Sequence, residues 1–242
     1  MNQEHTLTTP PFLSACFSTS NGPRFGKLNY LFARMKLLPV LALSIIVSFL
    51  VACSPAGDES SSTVSLFNGE NLDGWEIVNG GQFSVSDGVL NINKGTGWLR
   101  SADTFGDFTL TMEYRFMEKG ANSGIFVRTG PTSNDDENGW PNNGYQVQCL
   151  DEIEHQYPLG FIIPYGAPEF QSESSLEALK SVYKPALEWH TYEITCQGET
   201  MEVKLNGTVI TTCTDIKNLT GHIGIQAEHG LLEFRKIEVE LL

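Results

Sequence analysis

Basic residues are scarce in this chain: from Cys53 onward there are 11 Lys and Arg against 28 Asp and Glu, a formal net charge of −17. A field of that sign repels phosphate backbones and anionic headgroups, which excludes nucleic acid as a partner and leaves neutral ligands such as sugars open. Cysteine is scarce too. Beyond Cys53 only Cys149, Cys196 and Cys213 remain, an odd number that cannot complete a disulfide framework. Cys196 and Cys213 fall on predicted strands with one strand between them. At ~4.8 Å per strand their Cα atoms would lie ~9.6 Å apart, beyond bridging range. All three are expected to be free and buried. The chain also lacks an internal repeat, a Rossmann-type glycine pattern and a His/Cys cluster of zinc spacing. Asp135-Asp136-Glu137-Asn138 is acidic but lacks the alternate-residue spacing of a calcium loop, so it reads as a solvated tip. No metal and no cofactor are expected.

What is present begins with Met35-Lys36, a 16-residue apolar run over 37–52, and then Cys53. A positive start, an apolar stretch and a processing site make a secretory signal, and the run is shorter than the ~20 residues of a membrane span. Leu50-Val51-Ala52-Cys53 resembles the lipobox of bacterial lipoproteins. That resemblance implies that Cys53 is lipidated and anchors the mature chain in a membrane, and Ser54 after it implies the outer membrane. The expected location is therefore the cell envelope, lipid-anchored and facing the periplasm or the surface. Translation is expected to begin at Met35, which N-terminal tagging would check. The chain then divides into an upstream extension plus signal (1–52), a flexible tether of small polar residues (53–64) and one globular domain (65–242) of 178 residues.

Strand signals fill that domain. Phe83-Ser84-Val85 and Val89-Leu90-Asn91-Ile92 flank Asp87-Gly88, and Met201 to Leu205 and Thr208 to Thr212 flank Asn206-Gly207; both dipeptides mark tight hairpins. Three further runs lie close together: 108–116, alternating apolar and polar, 125–128 after an Asn122-Ser123-Gly124 turn, and 144–151. Because a strand places every second side chain on one face, Thr109, Thr111, Glu113 and Arg115 share a face, as do Gln146 and Gln148. Such polar rows suggest the floor of a site. Residues 129–143 form a long loop of breakers and polar residues, the kind that tends to be functional. Over 152–188 four prolines forbid any long helix, though Leu176-Glu177-Ala178-Leu179-Lys180 can make a turn or two. Many short strands with turn signals between them predict an all-β, two-sheet antiparallel sandwich.

Local signatures line up in order across 65–242: Ser65-Leu66-Phe67-Asn68-Gly69, Leu72-Asp73-Gly74-Trp75, Glu113-Tyr114-Arg115, Asn122-Ser123-Gly124-Ile125-Phe126-Val127-Arg128, Gly144-Tyr145, Trp189-His190-Thr191-Tyr192-Glu193 and Gly221-His222-Ile223-Gly224-Ile225-Gln226. Together they resemble the 3-keto-disaccharide hydrolase family. The resemblance implies a jelly-roll sandwich of concanavalin A-like or laminin G-like type, with a carbohydrate, a disaccharide or glycoside, held on one concave face. On that face it places Glu113, Arg115, Phe126, Arg128, Gln146, Gln148, His222, Gln226 and Glu228. Met112, Tyr114, Val127, Val147, Ile223 and Ile225 would turn inward to the core. Where the family reads Tyr-Glu-x-Gln, this chain reads Tyr145-Gln146-Val147-Gln148.

The implied activity is hydrolysis of the glycosidic bond of a 3-keto sugar. The ketone acidifies the neighbouring C–H, so one base, one group for the enolate oxygen and one acid suffice. Glu113 or His222 is the expected base, Arg115 or Arg128 the enolate partner, and His222 or Glu228 the acid. Asn122, Asp151 and His229 are expected at the ligand's rim, with Trp140 and Tyr145 stacking on sugar faces. Blander roles stand beside these: a sheet-ordering ion pair for Glu113, Arg115 and Arg128, an edge histidine for His222, and anchors of the long loop for Trp140 and Tyr145. His155 and His190 are read as structural. The alternative function is a lectin-like module that binds glycan on the same fold without turning it over.

Overall fold

A strand that alternates faces needs a core on one side, and β6 (Phe108–Phe116) shows it most plainly: every odd-placed residue from Phe108 to Phe116 is buried and every even one is half-exposed. The computed structural model describes residues 62–134 and 138–242. Met35, the apolar run 37–52, the lipidation site Cys53 and the acidic residues 135–137 lie outside the described residues.

The nine-stranded sheet runs β10 (Gln171–Ser174), β13 (Thr208–Thr214), β12 (Thr200–Leu205), β11 (His190–Gln197), β6, β15 (Leu232–Leu241), β4 (Val89–Lys94), β3 (Gln82–Ser86). The long β15 pairs with β6 along its whole length. On its other side it meets β4 at Leu232–Phe234 and then β1 (Thr63–Ser65) at Glu238–Glu240. The six-stranded sheet runs β2 (Trp75–Asn79), β5 (Gly97–Phe105), β14 (Gly221–Ala227), β7 (Asn122–Thr129), β8 (Gly144–Leu150), β9 (Ile162–Tyr165). All these pairings are antiparallel, and the architecture is the expected jelly-roll sandwich.

The sheets close on one another through Leu110, Met112 and Tyr114 of β6, Tyr192 and Ile194 of β11, Ile125 and Val127 of β7, Val147 of β8, and Ile223 and Ile225 of β14, all fully buried. Burying each such side chain contributes about 1.5–3 kcal/mol. The Tyr114 ring lies 4.9 Å from Tyr192 and stacks on His190 at 5.4 Å, so the core is partly aromatic. The six residues expected inward are inward. Both predicted hairpin turns form, with Asp87-Gly88 and Asn206-Gly207 each at positive φ as that turn requires. Cys149, Cys196 and Cys213 are free and buried, and burial raises all three thiol pKa values. The helical turn at 176–180 is α1 (Leu176–Val182), capped by the Ser175 hydroxyl, which accepts from Ala178 N at 3.1 Å.

Two expectations fail. Asn122-Ser123-Gly124 is not a turn but the first part of β7. More consequentially, β6 and β7 do not share a sheet: residues 117–121 carry the chain from one sheet to the other. β9 and β10 went unread because 152–188 is crowded with prolines. Pro164 sits in β9, an edge strand, where a missing N–H is tolerated.

Candidate functional site

Because β6 lies in the nine-stranded sheet, its outward row cannot join the outward row of β7 and β8. Glu113 and Arg115 therefore sit on the opposite side of the sandwich from Gln146 and Gln148. There the Glu113 carboxylate accepts from Arg235 Nε at 2.5 Å, and Arg115 Nε donates to Glu233 at 2.7 Å. Both guanidinium groups lie on the Trp189 ring, at 4.7 Å for Arg115 and 4.2 Å for Arg235. These charges are solvated and mutually satisfied. They form a surface ion-pair cluster, not the base and enolate partner of a site.

Arg128 is also misplaced by the sequence reading. Its residue has φ +48 at the end of β7, and the side chain is fully buried. It donates to the Gly106 carbonyl from Nε and an amine nitrogen, to Gly198 O at 2.6 Å, to Asn218 O at 3.3 Å and to the Asp107 carboxylate at 2.8 Å. All five donors of a guanidinium are thereby used. Arg128 clamps the β5–β6 turn, the β11–β12 turn and the approach to β14, with no donor left for a ligand. Tyr145 fails as a sugar platform because its parity on β8 turns it inward: it packs on Phe170 at 5.3 Å, and its hydroxyl accepts from Lys217 N at 3.2 Å.

What remains on the outer face of the six-stranded sheet is a set of amides among aromatics. Phe126, Gln146, Gln148 and Gln226 lie there, all at most 4% exposed. Gln146 Nε2 donates to Gln148 Oε1 at 2.6 Å. Gln146 Oε1 and both amide atoms of Gln226 are buried with no protein partner, and so is Asn122 Oδ1 at the start of β7. Two glycines make room for this arrangement. A Cβ at Gly124 would stand 2.3 Å from the Gln146 side chain, and one at Gly224 would stand 2.5 Å from the Trp98 ring. Trp98 meets Phe126 edge-on at 5.7 Å, Phe126 meets Tyr165 at 5.5 Å, and Tyr165 meets Trp140 at 5.8 Å.

The two arms of the 129–143 loop extend the β7–β8 hairpin and reach this face, where Ser133 Oγ lies 3.5 Å from Trp98 Nε1 and Trp140 Nε1 lies 3.5 Å from Ala227 O. Gly130 N donates to Asn143 O at 2.6 Å and Asn134 N to Trp140 O at 2.7 Å. Half-buried Trp140 thus caps the aromatic row, as the loop-pinning reading allowed. An unpaired buried polar atom costs about 1–3 kcal/mol, so four together cost an appreciable share of a domain's stability. A face that retains them is suited to a partner rich in hydroxyl groups.

The other expected residues frame this face. His222 shares its outward side at one end, and its Nδ1 lies 2.8 Å from the Ser101 carbonyl. A carbonyl only accepts, so Nδ1 carries a proton, and in the neutral ring Nε2 is the acceptor. At the other end Asn122 and His229 exchange both backbone hydrogen bonds, at 2.7 and 3.1 Å. Half-buried Glu228 lies beside them; burial raises its carboxyl pKa, and the neighbouring His229 partly offsets the rise. Asp151 is 5% exposed but lies past the end of β8, at the end of the sandwich, where it accepts from Tyr183 Oη and Gly120 N. His190 is structural, its Nε2 2.9 Å from Lys184 O and its pKa lowered by burial.

The sequence reading missed Trp98, Tyr165, Tyr183 and the two glycines. The parity of Trp98 on its strand was available as a signal. Gly124 was visible too, but it was read as a turn glycine when its role is clearance.

The family model described as 3-keto-alpha-glucoside-1,2-lyase-like domain matches residues 62–240. Among solved structures, the fold is similar to that of a protein from Parabacteroides distasonis provisionally described as a glycosyl hydrolase, at 24% identity, 75% of this chain, 100% of the other and a TM-score of 0.55. A second protein so described from the same organism matches at 17% identity, 74% and 94% coverage and a TM-score of 0.53. A Bacillus subtilis protein of galectin-like fold matches at 14% identity, 69% and 88% coverage and a TM-score of 0.50. At these identities the likeness is one of fold. No curated protein matches the sequence.

Proposed function

The chain belongs to the 3-keto-α-glucoside-1,2-lyase-like family, and from that premise we propose that it cleaves the glycosidic bond of a 3-keto disaccharide or glycoside in the cell envelope, held there by a lipid on Cys53. The observation that carries the reading is the buried amide face: three partnerless amide atoms of Gln146 and Gln226 beside Trp98, Phe126, Tyr165 and Trp140. Amides both donate and accept, as sugar hydroxyls do, and aromatic rings suit the apolar faces of a pyranose. A neutral ligand also fits a domain this acidic.

The chemistry asked of such a substrate is modest. A base removes the proton beside the ketone, the electron pair moves onto the ketone oxygen, and its return expels the group at C1. Water then adds to the resulting enone. Of the residues expected to serve this route, His222 keeps a place on the amide face with Nδ1 held by the Ser101 carbonyl, while Glu228 stands at the far end with its carboxyl pKa raised by burial.

A second reading is a lectin-like module that binds without turnover. One feature of the sequence favours it: Gln146, an amide, stands where the family resemblance implies an acid. Purified protein incubated with a 3-keto disaccharide and with its unoxidised parent separates the two. Release of free sugar from the keto form alone is expected. Binding of both without release would select the module, and neither binding nor release would sink both readings.

A further inference from the structure

Along β15 the inward row runs Ile237, Val239, Leu241, and it outlasts the core: the first two are fully buried, whereas Leu241 is 42% exposed. Leu242 beside it is 55% exposed, and Leu219 is 49% exposed. Leu219 and Leu242 both meet the Gly106-Asp107 turn. Leu242 N donates to Asp107 O at 3.2 Å, and a Cβ on Gly106 would stand 3.8 Å from Leu219 O. Three exposed leucines therefore share one end of the sandwich. A single exposed leucine is ordinary, but a group of them marks a contact surface.

That end is tightly braced. Arg128 joins the Gly106 carbonyl to those of Gly198 and Asn218, and Ile216 N donates to Glu199 O at 3.0 Å. Charges beside the leucines are paired: Asp107 with Arg128 at 2.8 Å, and Lys217 with Glu199 at 2.9 Å. The chain also enters the domain here. Ser62, the first described residue, accepts from Leu241 N at 3.2 Å. Cys53 lies nine positions before it, a reach of at most about 32 Å for a fully extended chain. Leu187 and Leu231 are exposed as well, but Leu187 N donates to Phe116 O and Leu231 O accepts from Met117 N. Both therefore stand past the other end of β6, whose nine residues put them about 27 Å away.

We propose that this leucine-bearing end is a membrane-docking surface, and that its partner is the zwitterionic bilayer holding the lipid of Cys53. The proposal depends on the lipid anchor of the reading above and adds to it the orientation of the domain. Leu219, Leu241 and Leu242 sit at the boundary between headgroups and acyl chains, where apolar side chains leave water. Even a myristoyl chain binds a bilayer only marginally, so three half-exposed leucines do not hold a free domain there. Behind a short tether the contact becomes intramolecular, at an effective concentration of about millimolar, and a weak contact then suffices to orient the domain. The −17 charge of the chain from Cys53 onward disfavours anionic headgroups, which is why the partner is zwitterionic. β6 and β15 stand up from the membrane in this arrangement. Gly221 pairs with Phe105 at the docking end, so the amide face rises from His222 near the bilayer to Glu228 held away from it in water.

The test uses the mature protein, purified with its lipid and inserted into phosphatidylcholine vesicles. Cys149, Cys196 and Cys213 are buried, so a thiol-reactive nitroxide goes to the cysteine introduced by Leu219→Cys or, as the control at the other end, by Leu187→Cys. On vesicles the label at 219 is expected to lose its accessibility to a water-soluble nickel chelate and to gain accessibility to dissolved oxygen. The label at 187 is expected to keep the aqueous profile. Adding Leu242→Glu is expected to restore chelate access at 219 with an unchanged melting temperature. A label at 219 as open to the chelate as that at 187 would overturn the docking surface and leave the anchor standing. Protection of the 219 label in the unlipidated Cys53→Ser protein without vesicles, together with a dimer in analytical ultracentrifugation, would overturn it too and give the leucines to a second copy of the chain. Mass spectrometry that found no acyl chain on Cys53 would remove the anchor itself, and this inference with it.

Discussion

On the outer face of the nine-stranded sheet, Glu113, Arg115, Glu233 and Arg235 reach solvent, and each holds an opposite charge. On the outer face of the six-stranded sheet, Gln146, Gln148 and Gln226 are buried, and three of their amide atoms hold nothing of the protein. Both rows come from the same two-residue alternation. The difference lies in what covers them. Among the described residues the Glu113 and Arg115 row stays partly exposed, so long charged side chains find one another and water. The β7–β8 extension, Trp140 and Tyr165 fold over the second, and what they cover is amide, neutral and unsatisfied. An exposed polar row is the ordinary finish of a sandwich, whereas a buried, unpaired one costs stability and calls for a use.

The largest effect is expected where the two sheets are tied together. Arg128→Met removes the donors from Gly106, Gly198 and Asn218 and leaves the partly exposed Asp107 carboxylate with the Gly198 N–H. Each hydrogen bond lost to a charged donor costs about 1.5–3 kcal/mol, to be read together from urea denaturation midpoints. Unchanged stability with lost sugar binding would return Arg128 to the site and blur the contrast between the faces.

The next effect has an unusual sign. Gln226→Leu removes two partnerless buried atoms, so stability should hold or rise, by up to about 1–3 kcal/mol. Sugar affinity should meanwhile fall about tenfold or more, the equivalent of about 1.4 kcal/mol of lost hydrogen bonding. Calorimetric titration beside thermal melting reads both. A variant that lost stability and kept its affinity would show that the amides serve packing alone.

The sandwich itself was legible because alternation and turn chemistry are local. Phe108 to Phe116 announces an outward and an inward row, and Asn206-Gly207 announces its hairpin, whatever the rest of the chain does. Sheet membership is not local. Nothing in Glu113 or Arg115 says that residues 117–121 cross to the other sheet, so a correct face was assigned to the wrong side of the molecule. Gln146, Gln148 and Gln226 were legible as a row because they sit on strands whose inward neighbours, Val147 and Ile225, are plainly core. Arg128 was not, since its positive φ at a strand end breaks the parity on which the reading depended. Tyr183, which orients Asp151, comes from a proline-rich stretch with no period to read, and only the tertiary fold brings the two together.

The smallest effect is expected on the face that the sequence favoured. Glu113→Gln keeps the shape of the side chain and removes the charge facing Arg235, which retains the Trp189 ring beneath it. Partly exposed ion pairs contribute about 0–1 kcal/mol because water already solvates both partners, and the cation over the half-buried Trp189 ring adds at least about 0.5–1 kcal/mol that this substitution leaves in place. Stability should therefore drop by less than about 1 kcal/mol, while sugar affinity and turnover stay at wild-type values. A double-mutant cycle with Arg235→Ala isolates the pair from the stacking. If Glu113→Gln instead abolished turnover in a protein that melted normally, the solvated face would be the working one, and the buried amides opposite would need another explanation.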